Sequence, residues 1–488
     1  MKYIIDSIKK EQAYHHTGIM MLIKCINDIY GKVQVSVGNS LNQGFFVYFG
    51  DTDRPLTQSE VTKIREKMNR LVQADVPVNK EIITCGEAVE LWHRNGFSER
   101  ARLYSPADPD TPVAVYELDG YRDFFYSDML PSTGYYELFD LRGYKNGLLL
   151  RHPCVPHPDS IPEYRDDDKL YDAFADSKRM RKSLKLDYLA DLNDKNEDEL
   201  REVISGSERI QNKEIAAIAE RIVNDGRRIV MIAGPSSSGK TTFAKKLCDR
   251  IGKLTSVEPI YIGTDDYFVE REQSPRDANG EYNYEGLDAI DLDLFNNQMS
   301  DLLNGREIDA PEFDFLVGKK RFGKRFIKAK ENQIIVIEGI HSLNDELTRD
   351  IPSAKKFKVY ISPLTRIGID RHNRLSTADA RLLRRIVRDN SHRGRDAAGT
   401  IKDWTKVRNG ETGNVFPYSS MADVVFNTSL VYETSVLKHF AKPLLEKITP
   451  EEPEYEEAGR LLDFIVCFRE IDLVDAIPED SILREFID

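Results

Sequence analysis

The chain has 488 residues, 40% hydrophobic and 31% charged, with a formal net charge of −13. That is the balance of a soluble globular protein of two to four domains, large enough to need no disulfide or metal staple, and its acidity repels nucleic acid and anionic membranes. The five cysteines form no CxxC pair, the opening MKYIIDSIKKEQAYHH has no apolar signal core, and no apolar run approaches the ~20 residues of a membrane helix, so the expectation is a cytoplasmic enzyme.

Residues 1–153 alternate short elements. LIKCINDIYG reads as a helix, and KVQVSVG and GFFVYFGD read as strands around an Asn-Gln-Gly turn. LTQSEVTKIREKMNRLVQ is an amphipathic helix with Thr57 placed to cap it, and VAVYELDGY, YYELFDL and GLLLRHP read as strands. The expectation is an α+β module. Residues 154–224 form a Pro-rich, charged linker, HPCVPHPDSIPEYRDDDK, and a helical connector. His152, Cys154 and His157 suggest a metal clip, but proline flanks them and a fourth ligand is missing.

From residue 225 to 448 the texture becomes strand–loop–helix. RRIVMIAG, EPIYIGTDD, NQIIVIEGI and KFKVYIS read as buried strands, which predicts a parallel sheet with helices on both faces. Residues 449–488 are a C-terminal extension.

Between the first of these strands and its helix lies Gly234-Pro235-Ser236-Ser237-Ser238-Gly239-Lys240-Thr241-Thr242, which fits G-x4-G-K-[ST]. The glycines let backbone N–H groups face phosphates, and the helix N-terminus adds partial positive charge. Lys240 is expected on the β/γ-phosphates of ATP and Thr241 on Mg²⁺.

The next strand ends in Thr264-Asp265-Asp266-Tyr267-Phe268. Ligands of parallel sheets collect at carboxyl ends of strands, where a carboxylate can take the proton of an attacking hydroxyl. Asp265 or Asp266 could equally cap a turn. A GTPase would want an NKxD-type base reader, and none is present. Glu338 ends another apolar strand and is expected in the Mg²⁺ shell.

Two basic segments follow. Gly318–Arg325 reads as a hairpin edge with solvated charges. In RLLRRIVRD, Arg381, Arg385 and Arg388 share a helical face, and few acids lie nearby in sequence. The expectation is a lid that closes over a triphosphate.

Residues 227–445 resemble the uridine kinase/phosphoribulokinase family of P-loop kinases. The resemblance rests on GPSSSGKTT, TDDYF, YNYEGLDAID, APEFDF, VIEGI, RRIVRD, HRGRD and PYSSMADVVFN in that order. It implies ATP, Mg²⁺ and transfer of the γ-phosphate to a sugar hydroxyl, the 5′-hydroxyl in nucleoside kinases. By position it implies Asp265 as catalytic base, with Lys240 and Arg388 in the catalytic set. Tyr267, Tyr284, Glu285, Phe313, Arg385, Arg388 and Arg393 fall on substrate and lid positions. Glu285 stands for a ribose-holding aspartate. Phe313 and Gly318 stand where those kinases carry a tyrosine and a histidine at a pyrimidine, so uridine or cytidine specificity does not follow.

Residues 14–153 resemble the second additional domain of threonyl-tRNA synthetases, on HHTGIMML, VSVGNSLNQGFFVYF, PSTGYYELFDL and GLLLRHP. The HxxxH pair of that editing domain is absent, because Ile19 and Met20 follow His15 and His16 at four positions. The later FFYSDMLPSTG has neither cysteine nor histidine. A structural or regulatory module is expected, with tRNA contact left open. The whole order is similar to bacterial fused uridine kinase-like nucleoside kinases, starting here almost at the synthetase-like module without a small β-grasp domain.

The resulting expectation is an ATP- and Mg²⁺-dependent kinase of a nucleoside or related ribose compound, compatible with a homo-oligomer. The alternatives are a phosphosugar or other small-alcohol kinase, and a non-catalytic, ATP-responsive, RNA-associated regulator.

Overall fold

The apolar runs singled out above become the strands of one buried sheet. The computed structural model describes residues 3–41, 44–49, 54–155, 157–276, 280 and 282–488. Asn42, Gln43, Gly50 and Asp51 of the expected hairpin, and Asp277, Ala278, Asn279 and Glu281 of SPRDANGEYNYEGLD, lie outside these residues.

The chain divides into two compact units that do not follow chain order. One comprises residues 1–200, 365–377 and 460–470, and the other residues 201–364, 378–459 and 471–488. Among the described residues no helix is long and apolar enough to cross a membrane.

In the second unit a five-stranded sheet is built of β1 (Ile229–Ala233), β2 (Ile260–Gly263), β3 (Ile335–Glu338), β4 (Lys356–Ser362) and β5 (Val424–Asn427), in the order β5-β4-β1-β3-β2, all parallel. Every residue of β1 is fully buried, because helices cover both faces and leave no solvent side. Each such Val, Ile or Met side chain contributes about 1.5–3 kcal/mol of burial. Helix α1 (Lys240–Thr255) follows the loop after β1. The register sets Glu338 beside Ile232 on one side and Gly263 on the other. Three chain ends therefore deliver the loop, TDDYF and Glu338 to one edge of the sheet. Helices α2 (Thr377–His392) and α3 (Ala397–Asn414) follow β4.

The first unit holds a 23-residue helix, Ile8–Tyr30, longer than LIKCINDIYG because Ser7 caps it and buried residues continue back through Tyr14. A four-stranded antiparallel sheet orders Val35–Leu41, Gly44–Phe49, Gly147–Arg151 and Asp140–Tyr144. A three-stranded sheet orders Asn79–Thr84, Pro112–Leu118 and Tyr121–Asp123. Thr57 closes a reciprocal capping box with Glu60. YYELFDL is not a strand: a 3-10 turn covers Thr133–Tyr135, and pairing begins only at Asp140.

Candidate active site

The turn between β1 and α1 brings the loop to the sheet edge. Gly239 has φ +83°, a left-handed conformation that favours glycine, and it opens α1 so that the first-turn amides lack intrahelical partners. The hydroxyls of Ser237 and Ser238 are buried and have no hydrogen-bond partner among the described residues. Lys240 Nζ donates to the Pro235 carbonyl at 3.2 Å. Buried donors without partners beside an ammonium suit phosphate oxygens.

Glu338 Oε2 accepts from Thr241 Oγ1 at 3.4 Å and from the Tyr261 hydroxyl at 3.0 Å. Burial pushes the Glu338 carboxyl above its ordinary range, while Lys240 pulls it down and Asp265 pushes it up. Among the described residues no three His, Cys, Asp or Glu side chains are arranged to hold a metal. A hydroxyl and a carboxylate beside a phosphate loop nonetheless form the hard-oxygen set that Mg²⁺ takes together with substrate phosphates.

Asp265 and Asp266 have different surroundings. Asp266 accepts from the Phe313 amide at 3.4 Å and pairs with Arg325 at 3.3 Å, which ties it to the hairpin beyond. Asp265 has no hydrogen bond or ion pair among the described residues. Its side chain is exposed to solvent. The surrounding protein raises its carboxyl, Asp266 raises it further, and Lys240 and Arg393 pull it back. Glu285 joins the same electrostatic cluster. Burial raises its carboxyl, helped by Glu411, against the charges of Arg385 and Lys240.

The arginine helix differs from the expectation. It is not short of acids. Asp389, on α2 itself, accepts from Arg388 at 2.7 Å and pairs with Arg385 at 3.2 Å and Arg393 at 3.5 Å. Arg381 is buried, pairs with Glu411 of α3 and donates to the Ser236 carbonyl at 2.9 Å. Arg384, also buried, pairs with Glu433 at 2.7 Å. Arg385 donates to Ser236 Oγ at 2.7 Å. The helix is thus docked on the phosphate loop. Burial lowers the pKa of both Arg385 and Arg393, and Arg393 stays 57% exposed at the site.

Two expected acceptor contacts are corrected. Tyr267 is 1% exposed, packs edge-on against Phe295 and gives its hydroxyl to Gln298 at 2.7 Å, so it is a core residue with no polar atom to spare. Phe313 is likewise in the core, edge-on to Phe268 and Phe315. Tyr284 is half-buried, edge-on to Phe268. Gly318 has φ +74°, and a Cβ there would lie 2.6 Å from Arg271, so the turn excludes a histidine at that position. The basic hairpin is exposed at Lys319, Arg321 and Lys324, as expected, and is also paired: Lys320 bonds Asp291, Arg321 bonds Asp314 and Arg325 bonds Asp266.

Sequence reasoning missed Tyr261, Asp389 and Glu411. Glu411 also accepts from the Ser236 amide at 2.6 Å across 175 residues, a separation no local pattern reveals. In the first unit, His15 Nδ1 lies 3.2 Å from His152 Nε2, and His16 Nδ1 lies 2.5 Å from Ser127 Oγ. Burial lowers all three histidines, His16 to about 4, so they are neutral.

The surroundings of Asp265 set a pH dependence. Arg393 favours the ionised carboxylate, so removing its charge favours the proton. In Arg393→Gln the Asp265 carboxyl titrates at higher pH than in the wild type, which carboxyl-carbon NMR checks.

Comparison with known proteins agrees with this geometry. The profile described as Phosphoribulokinase / Uridine kinase family matches residues 229–435. A uridine kinase of Halobacterium salinarum is 28% identical over 196 residues, 40% of this chain and 77% of its own. That of Halalkalibacterium halodurans is 30% identical over 198 residues, 40% of this chain and 84% of its own. That of Ureaplasma urealyticum is 30% identical over 176 residues, 36% of this chain and 75% of its own. With loop, strand-end carboxylates and arginine helix in the matched span, the chain belongs to the phosphoribulokinase/uridine kinase family of P-loop phosphotransferases.

Proposed function

We propose that the second unit transfers the γ-phosphate of ATP to a hydroxyl of a nucleoside or related ribose compound, the 5′-hydroxyl in a nucleoside. The observation that carries this is the unbonded carboxylate of Asp265, at the end of β2 and within the field of Lys240. The acceptor oxygen bonds to the γ-phosphorus, the bond from that phosphorus to the β,γ-bridging oxygen breaks, and the hydroxyl proton passes to Asp265. Its raised pKa makes Asp265 a better proton acceptor than an ordinary aspartate, while the positive charges of Lys240 and Arg393 favour its ionised form.

Lys240 and the loop amides hold the donor phosphates. Thr241 and Glu338 would hold Mg²⁺, which when bound neutralises phosphate charge. Glu285 is placed to hold ribose hydroxyls, and Arg385, Arg388 and Arg393, fixed through Asp389, stabilise charge on the transferring group. Most of the rate gain is positioning and charge stabilisation. The reading commits to a ribose hydroxyl and not to a base, since Phe313 and Gly318 offer no hydrogen bond to one. The first unit is read as the synthetase-like module in a structural role, because His15 and His152 are engaged with each other and His16 with Ser127.

Two tests apply. An ATP-consumption assay over nucleosides and pentoses gives phosphorylated product from at least one ribose compound, and product from none of them removes the reading. In Glu338→Gln, the Mg²⁺ concentration for half-maximal rate rises by about tenfold, checked by titrating Mg²⁺ at fixed ATP.

A further inference from the structure

The last eighteen residues of the chain belong to the second unit and pack on the phosphate loop. Ile482 Cγ2 lies 2.5 Å from where a Cβ on Gly239 would stand, so the tail fills the space that this glycine leaves open. Ile482, Leu483 and Phe486 are fully buried. The Phe486 ring lies 4.8 Å from the Arg384 guanidinium. Arg484 donates to the carbonyls of Val474 at 2.9 Å and Ile477 at 2.8 Å. Upstream, Ser481 Oγ bonds Glu208, and Lys246 of α1 holds Asp480 at 2.8 Å. The backbone of the tail is fixed.

From this fixed tail the half-buried Glu485 reaches the first turn of α1. Its Oε2 accepts from the Thr242 amide at 3.2 Å and from Thr242 Oγ1 at 2.8 Å. Thr242 closes the phosphate-loop sequence, and its amide is one of the donors that an α-helix N-terminus leaves for an anion. Of the other carboxylates on the loop, Glu411 pairs with Arg381 and Glu338 accepts from Thr241 Oγ1. Glu485 has no ion pair among the described residues. An anionic oxygen of the chain thus sits where a phosphate oxygen would be received, and two anions about 3 Å apart repel.

We propose that Glu485 is a built-in competitor for the phosphate of the donor nucleotide: its carboxylate occupies Thr242 and has to rotate off the loop before nucleotide phosphate can bind there. This rests on the phosphate-loop reading above. Because the tail backbone is anchored, the gate is one side chain, and its strength is a standing penalty on donor affinity. The penalty raises the concentration of ATP at which the enzyme responds and leaves the phosphoryl-transfer step untouched.

The test measures Kd for ATP and for inorganic pyrophosphate, by calorimetry on the full chain, in wild type, Glu485→Gln, Glu485→Ala and Lys240→Ala. The Gln variant keeps shape and removes charge. It should tighten both ligands by about tenfold, and the Ala variant by at least as much, with KM for ATP falling and kcat unchanged. Thermal melting shows whether each variant is folded, and the near-isosteric Gln variant stands in if Ala unfolds. Unchanged or weaker binding in a folded Glu485→Gln overturns the proposal. The phosphate-loop reading fails separately, if Lys240→Ala binds ATP as tightly as wild type.

Discussion

Asp265→Asn lowers kcat by about 10²–10⁴-fold while ATP affinity stays near the wild-type value. The asymmetry follows from what the carboxylate touches. Asp265 holds no hydrogen bond among the described residues, so the amide breaks no such contact, yet it removes the group proposed to accept the hydroxyl proton. Its neighbour supplies the contrast. Asp266 anchors the Phe313 amide and Arg325, so Asp266→Asn acts on the hairpin and changes stability more than chemistry. Measurement of kcat, KM and ATP Kd for both variants checks this. Equal loss of kcat in the two would mean that the adjacent carboxylates share the proton.

Arg100→Ala destabilises the first unit by about 3–5 kcal/mol, the range for breaking a buried charge network from one side. Arg100 is fully buried between Asp123 at 2.7 Å and Asp370 at 2.8 Å, and His372 Nδ1 lies 2.7 Å from the other oxygen of Asp123. Burial alone would raise the Asp123 carboxyl, but His372 and Arg100 outweigh it and hold the group below its ordinary value. A depressed carboxylate contributes stability above its unfolded pKa, and that contribution is lost as pH falls through the folded value. Removing the arginine leaves two acids buried against each other. Trp92 lies 5.7 Å from Arg100, so its fluorescence in a Trp404→Phe background reports urea unfolding of this unit. A midpoint shift worth under about 1 kcal/mol would show that the network contributes specificity and not stability.

What could be read from sequence was local. The phosphate loop, the apolar strands and Glu338 each follow from residues within a few positions of one another, and the parallel register brings them together. Not all partners of the arginines were readable in this way. Asp389 is adjacent in sequence to Arg388 and four residues from both Arg385 and Arg393, a helical spacing that could have disclosed it, whereas Glu411 reaches the loop from another helix. Tyr267 shows the opposite limit. The resemblance implied acceptor contact for it, but across the 3-10 turn over Thr264–Tyr267 the Asp265 side chain is exposed and Tyr267 lies in the core. Residues 365–377 were read with the kinase motifs, while their Asp370 and His372 complete a charge cluster of the first unit. Only tertiary structure discloses such a pairing.

In the proposed reaction Asp265 takes the proton of a ribose hydroxyl as that oxygen attacks the γ-phosphorus of ATP held on the loop. Phosphorus NMR of the products, with ATP, Mg²⁺ and a panel of nucleosides and pentoses, tests it most directly. The account predicts a new phosphomonoester on a ribose hydroxyl, formed in step with ADP and lost in Asp265→Asn. ATP hydrolysed to free phosphate alone with every acceptor, or ester formation undiminished in Asp265→Asn, would contradict it.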